Sequence, residues 1–353
     1  MKLLIVIPTW NRANYLDKAI HAIADARAGA GGCDVELFIS DNCSSDHTQE
    51  LVNRWLEKSP WIHYRRWEEH VPSGTKILWR AFFGSDLEYD FLWLHGDDDY
   101  ICDVTAFAKL IDALEATAED PPAIVHCCAA RRSLPGDQRI LAGNTEDLCN
   151  TYGWHDLLGW ISSLVISKET VNRMMDCPQW KVEPPSAFFH SEALLEVSYG
   201  RTMLILATGL IDPQEKSQTP ESLDRWAIAN VEEAYWGVIP GLMNLKERGV
   251  LLTPLTLGFF RYLRYSFWDR FAAEILVLAA CHDTHAEVLD KKLQQLSHFA
   301  SLIGYGEDRK LYEDWAEGFQ DDIKEIRRSV QLIYRRVNQA QRPSYANNLL
   351  PLN

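Results

Sequence analysis

The stretches "IVIPTWNR", residues 5–12, and "LWLHGDDDY", residues 92–100, decide how this chain folds. Each begins as an apolar run of the kind that forms a strand covered on both faces, and each ends in a polar turn. The first turn offers Pro8, Thr9, Asn11 and Arg12, and the second offers Asp97, Asp98 and Asp99 in succession. Open parallel sheets bind ligands at the carboxyl ends of their strands, so the two turns are expected to face one crevice.

The segments around these turns keep alternating between strand and helix. After the first turn, Asn14 with Asp17 three residues on is expected to cap a helix whose Leu16, Ala19, Ile20 and Ile23 recur at helical spacing, and "GAGG" at 29–32 ends it. "VELFIS" (35–40) is a second strand closed by Asp41, and Asp46 with Gln49 reads as a capping box for a helix through Leu56. "WIHYRRW" (61–67) is a third strand, Ser73 to Ser85 a helix, and "DFLWLH" (90–95) the strand that meets the triplet. A helix from Asp103 toward Ala118 and the strand "AIVHCC" (123–128) continue the pattern. This alternation predicts an α/β, doubly wound, mostly parallel sheet.

Downstream the pattern changes. Helical stretches such as "IKEIRRSVQLIYRRV" (323–337) fill the later chain, and the polar "QEKSQTPES" (214–222) marks a boundary. The expectation is an α/β domain over 1–218 and a mainly helical appendage over 219–353.

Composition narrows the function. With 353 residues, 47% of them hydrophobic, the chain supports a large core. A net charge of −15 argues against nucleic-acid partners, which demand a positive field. The apolar start is cut by Pro8, so no export signal is read, and "ILVLAAC" (275–281) is far too short to span a bilayer. The eight cysteines form no C-x-x-C pair and read as reduced thiols of a cytoplasmic protein. A basic amphipathic face at 323–337 offers a peripheral contact with the inner face of a membrane, and a salt-bridged helix is the alternative reading.

Three adjacent aspartates raise one another's pKa unless a cation offsets them, and hard carboxylate oxygens suit Mg²⁺ or Mn²⁺. A solvated acidic turn before a helix is the alternative. Asp41, at the end of another strand, accepts well from a ring N–H such as that of uracil, or else closes an Asx-turn.

In order and spacing, "VIPTWNRANYLDKAI", "ISDNCSSDHT" and "FLWLHGDDDY" resemble the motifs of family 2 glycosyltransferases, over roughly residues 1–130. The resemblance implies a GT-A nucleotide-sugar-binding fold. It also implies inverting, metal-assisted transfer of a sugar from a UDP-linked donor to a hydroxyl of a surface-polysaccharide or lipid-linked glycan. By the same resemblance Pro8, Thr9, Asn11 and Arg12 line the nucleotide pocket, and Asp41 contacts the base. Asp97 and Asp99 form the D-x-D pair, with Asp99 the metal ligand, Asp97 on ribose or metal, and Asp98 at the middle, nucleotide-side position. Mn²⁺ or Mg²⁺ is the implied cofactor. Where many relatives carry "N-x-G" and "A-R-N", this chain reads "VPSGTKILWRAF" (71–82), with Gly74 and Arg80 as the nearest counterparts. Lys76 and Arg80 read either as phosphate contacts or as exposed helix charges.

An inverting transfer needs one carboxylate to take the acceptor proton. Glu192 in "AFFHSEALLEV" is the candidate, opening a helix that Ser191 would cap; Asp212 and Glu183 are weaker choices, and His190 is a candidate for metal or diphosphate. Trp10, Trp93, Trp154 and Trp160 are read either as sugar- or base-stacking faces or as core. Two rivals remain. A sugar nucleotidyltransferase would carry a Gly-rich, Lys-containing loop where this chain has "PTWNR", and a non-catalytic carbohydrate-binding protein would not need the acidic residues.

Overall fold

The computed structural model describes residues 1–29, 34–117, 119–129, 140–152, 157–181 and 189–213. All of them belong to one compact unit made of Met1–Pro185 and Phe189–Ser217. Trp154, Glu183 and the helical region expected over 219–353 lie outside the described residues.

The strands are β1 (Lys2–Thr9), β2 (Asp34–Asp41), β3 (Ile62–Arg66), β4 (Phe91–Leu94), β5 (Asp99–Ile101), β6 (Ile124–Ala129), β7 (Ile140–Asn144), β8 (Leu164–Ser167) and β9 (Thr202–Pro213). The helices are α1 (Ala13–Ala28), α2 (Thr48–Leu56), α3 (Gly74–Phe83), α4 (Ala106–Glu115), α5 (Thr145–Tyr152), α6 (Lys168–Met175) and α7 (Phe189–Ser198). They build one mixed sheet in the order β3-β2-β1-β4-β8-β6-β9-β5, with β7 on β9.

The run β3-β2-β1-β4 is parallel throughout, as the alternating sequence predicts. Leu3 to Ile7 of β1 are all buried, because parallel strands are covered on both faces. α1 packs Leu16, Ala19, Ile20 and Ile23 against that sheet at the expected spacing. It ends at Gly29, where an added Cβ would lie 2.5 Å from the Val104 carbonyl oxygen, so only glycine fits. Trp93 is fully buried in β4 and donates its Nε1–H to the Ser162 carbonyl at 2.8 Å, which satisfies the one polar atom of a large core side chain.

Two local expectations are corrected. Asn14 does not cap α1: the N-cap is Arg12, and Asn14 lies one residue inside. Asp46 does not form the capping box with Gln49, because α2 starts at Thr48 and Asp46 Oδ1 takes the Thr48 backbone N–H at 3.0 Å and its hydroxyl at 2.5 Å.

The alternating pattern does not announce β5, β7, β8 or β9, and of these β8 matters most for the site. β8 runs antiparallel to both β4 and β6, between them. A reversed strand begins at the edge where its neighbours end. The turn Ile161–Ser163 that leads into β8 therefore stands at the carboxyl edge of β1, β2 and β4.

Candidate functional site

The carboxyl edge gathers residues from distant parts of the chain. Thr9 ends β1 in register with Asp41 of β2, and its hydroxyl donates to Asp97 Oδ2 at 2.8 Å. The single nitrogen Nη1 of Arg12 reaches Asp97 Oδ1 at 2.8 Å and Asp98 Oδ2 at 2.7 Å. The turns after β1, β2 and β4 are thereby joined. The loops after β1 and β2 are further stapled by Asn11, which holds a left-handed φ of 55° and accepts the Ser45 backbone N–H on Oδ1 at 2.7 Å. Its own N–H donates to Ser44 Oγ at 2.9 Å. Asp46 Oδ2 in turn takes the Ala13 N–H at 3.2 Å, at the start of α1. Pro8 pairs with Ser40 in the same ladder.

Asp41 is fully buried. Its Oδ1 accepts the backbone N–H of Ser44 at 2.8 Å and the Ser44 hydroxyl at 2.6 Å, while Oδ2 accepts the Tyr64 hydroxyl at 2.6 Å. The Asx-turn alternative thus describes its present contacts. Burial, then the bond to Asp41, raises the Tyr64 phenol well above its ordinary pKa. Asn42 is clamped on the Val71 backbone and accepts from Arg80 Nη1 at 2.9 Å. Arg80 is not an exposed helix charge: it also bonds the Glu69 carbonyl and lies over the Trp67 ring at 4.6 Å. Trp10 stacks on His70, centroids 4.3 Å apart.

The acidic triplet is divided by its neighbours. Burial lifts Asp97 to about 6 against the pull of Arg12. The same two carboxylates override burial and raise the Arg12 guanidinium further above its usual value. Asp98 stays partly exposed. Asp99 is buried, and its Oδ2 accepts from Ser162 Oγ and from Trp160 Nε1 at 2.9 Å. Burial lifts Asp99 to about 6 as well, opposed by the Ser162 bond. Ser162 Oγ also takes the Gly96 N–H at 2.8 Å, so one hydroxyl fixes both the turn and the carboxylate. Neither Ser162 nor the role of Trp160 was legible beforehand, since nothing local announces that β8 is reversed.

Among the described residues no three His, Cys, Asp or Glu side chains form a cation-binding group. Asp97 has both oxygens engaged by Thr9 and Arg12. Asp98 and Asp99 close on Gly96: a Cβ built there would lie 2.9 Å from Asp99 Oδ2 and 3.2 Å from Asp98 Oδ1. Two adjacent hard carboxylates match the donor count that Mg²⁺ or Mn²⁺ takes when phosphates complete the shell, so the residues fit such an ion.

Glu192 lies buried in the first turn of α7. Ser191 does not cap that helix: α7 begins at Phe189, and the Ser191 hydroxyl donates to the Leu158 carbonyl at 2.8 Å. His190 is buried, and burial lowers its pKa to about 4, which keeps it neutral. The backbone of Asp212 pairs with Tyr100, beside the strand that Asp99 opens. No helix of the described residues is long and apolar enough to cross a membrane.

Comparison with known proteins agrees with this architecture. Residues 4–155 match the model of glycosyl transferase family 2. The abequosyltransferase RfbV of Salmonella typhimurium is 30% identical over 129 residues, covering 36% of this chain and 35% of that protein, so the chain spans about a third of the curated relative it matches. The crystal structure of S. aureus TarS 1-349 in complex with UDP-GlcNAc superposes with a TM-score of 0.60 at 14% identity, over 94% of this chain and 92% of that one. The crystal structure of S. aureus TarS 1-349 gives 0.58 at 16% identity, over 97% and 93%. The similarity to glycosyl transferase family 2 therefore lies in residues 4–155, and the α/β unit has a GT-A-like fold.

Proposed function

We propose that this unit binds a nucleotide-sugar donor, UDP-linked, and transfers its hexosyl group with inversion to a hydroxyl of a glycan or lipid-linked glycan. The observation that carries the reading is the convergence at one sheet edge of Thr9, Arg12, Asp97 and the Asp41 loop, residues that the sequence scatters over 88 positions. Parallel strands deliver their loops to a common crevice, and there the family's nucleotide pocket is expected. The abequosyltransferase relative, and a UDP-GlcNAc complex of the same fold, support a sugar nucleotide as the ligand.

In this reading the turn at Pro8, Thr9 and Asn11 shapes the nucleotide pocket, Asp41 and its loop meet the base, and Asp97 and Asp98 face the ribose and phosphates. Asp99, with Asp98, would hold Mn²⁺ or Mg²⁺, a Lewis acid that neutralises the charge of a diphosphate leaving group. Trp160 and Ser162 fix the Asp99 carboxylate so that it cannot rotate away. Glu192 would accept the proton of the attacking hydroxyl, and its burial removes competing water.

Thermal unfolding with UDP, CDP and GDP, each with and without Mn²⁺, tests the proposal. Metal-dependent stabilisation by UDP that disappears in Asp99→Asn supports it. Equal responses to every nucleotide, or none, would remove the donor assignment. A sugar nucleotidyltransferase would instead release pyrophosphate from a nucleoside triphosphate and a sugar phosphate, which the same preparation can be assayed for.

A further inference from the structure

We infer that Arg12 is a resident cation that keeps the acidic triplet closed to divalent metal until a diphosphate arrives, so that metal and nucleotide bind together. The inference rests on the metal-assisted reading above and concerns how that site fills.

The geometry is specific. One guanidinium nitrogen bridges two carboxylates, 2.8 Å from Asp97 and 2.7 Å from Asp98. The bridge crosses a gradient of exposure: the Asp97 side chain is 7% exposed, Asp98 32% and Arg12 31%. The inner half is shielded and further held by Thr9. The outer half, the Arg12–Asp98 contact, is wet and therefore weak enough to exchange.

A divalent ion entering beside Asp98 and Asp99 must approach a positive group that already neutralises Asp98. Repulsion between the two, and the loss of the Arg12–Asp98 pair, both oppose metal binding alone. A nucleoside diphosphate reverses the balance. It brings negative charge that an arginine accommodates in a bidentate manner, so Arg12 can leave Asp98 for phosphate while Asp98 turns to the metal. Asp97 keeps the Thr9 hydroxyl on its other oxygen throughout. Asp97 then serves as a positioning residue that parks Arg12, rather than as the principal metal ligand.

The test measures Mn²⁺ binding by electron paramagnetic resonance on the full chain, with and without UDP. Wild-type protein should take up Mn²⁺ at least about tenfold more tightly when UDP is present. Arg12→Gln should move two affinities in opposite directions: Mn²⁺ alone binds about tenfold more tightly, and UDP in the presence of Mn²⁺ about tenfold more weakly. A merely structural role would lower both. Arg12→Lys, which keeps the charge, should leave Mn²⁺ binding alone close to wild type. Wild-type protein that binds Mn²⁺ equally with and without UDP overturns the inference and leaves the metal reading standing, and this arm needs no variant to fold. Failure to bind Mn²⁺ even with UDP removes the metal reading and the inference with it.

Discussion

Thr9 and Asp97 are 88 positions apart in the chain, and the hydroxyl of the first donates to the carboxylate of the second at 2.8 Å across a buried contact. That bond ties the turn after β1 to the turn after β4, and its Cα partner in the next strand is Asp41. The site's three loops therefore share one anchor.

Thr9→Val keeps the shape of the side chain and removes the donor. It should cost about 1–2 kcal/mol of stability, because a buried carboxylate oxygen is left without its partner. UDP affinity should fall with it, and Thr9→Ser should restore both. Urea unfolding and calorimetric titration with UDP check the pair; a valine variant with wild-type affinity would show that the anchor does not reach the ligand.

Asp41 carries a structural load that its sequence position does not advertise. Asp41→Ala strands the Ser44 and Tyr64 donors and should cost about 2–4 kcal/mol, whereas Tyr64→Phe leaves Oδ2 without one neutral donor and should cost about 1–2 kcal/mol. If Asp41 also meets the base, its alanine variant loses nucleotide affinity more than it loses the response to Mn²⁺. Unchanged UDP binding in a folded Asp41→Ala protein would confine the residue to the loop.

Glu192→Gln preserves size and burial. Transfer should drop about a hundredfold to ten-thousandfold while UDP affinity stays within a factor of about two. Sugar transfer from the donor that passes the thermal screen provides the rate. An active glutamine variant moves the base to another carboxylate, with Asp212 the next to be changed.

Buried ionisable groups oppose one another below neutral pH. Burial lowers His95 and His190 from 6.5 to about 4. Between those values the unfolded chain binds more protons than the folded one, so acid favours unfolding. Asp97 and Asp99 are raised from 3.8 to about 6, so between those values the folded protein holds the extra protons and acid favours folding. The four contributions nearly cancel. In EDTA, stability should change little from these groups between pH 6.5 and 4.5, and Asp99→Asn should uncover an acid-induced loss on the order of 1–3 kcal/mol. Urea midpoints at the two pH values decide it; parallel behaviour of variant and wild type would contradict the balance.

Much of this architecture is legible in the sequence, and the illegible part has a physical cause. Uncharged runs such as "LLIVI" and "FLWL" announce parallel strands directly, and Asp41 and Asp97 to Asp99 stand where those strands end. β8 is different. Its four residues, "LVIS", look like any buried strand, and only pairing with β4 and β6 far along the chain sets its reversed direction. Hence Trp160 and Ser162, which fix Asp99, could not be placed beforehand. Asn14 misled because Arg12, not a polar side chain with a capping bond, opens α1, while Asn11 spends its side chain on the neighbouring loop.

The register of β5 against β9 has a further meaning. Asp99 opens β5 and is the direct partner of Pro213, which closes β9. A slip of β9 by one residue would give Asp99 a different backbone partner, so the register at the close of that strand is a lever on the triplet from outside it.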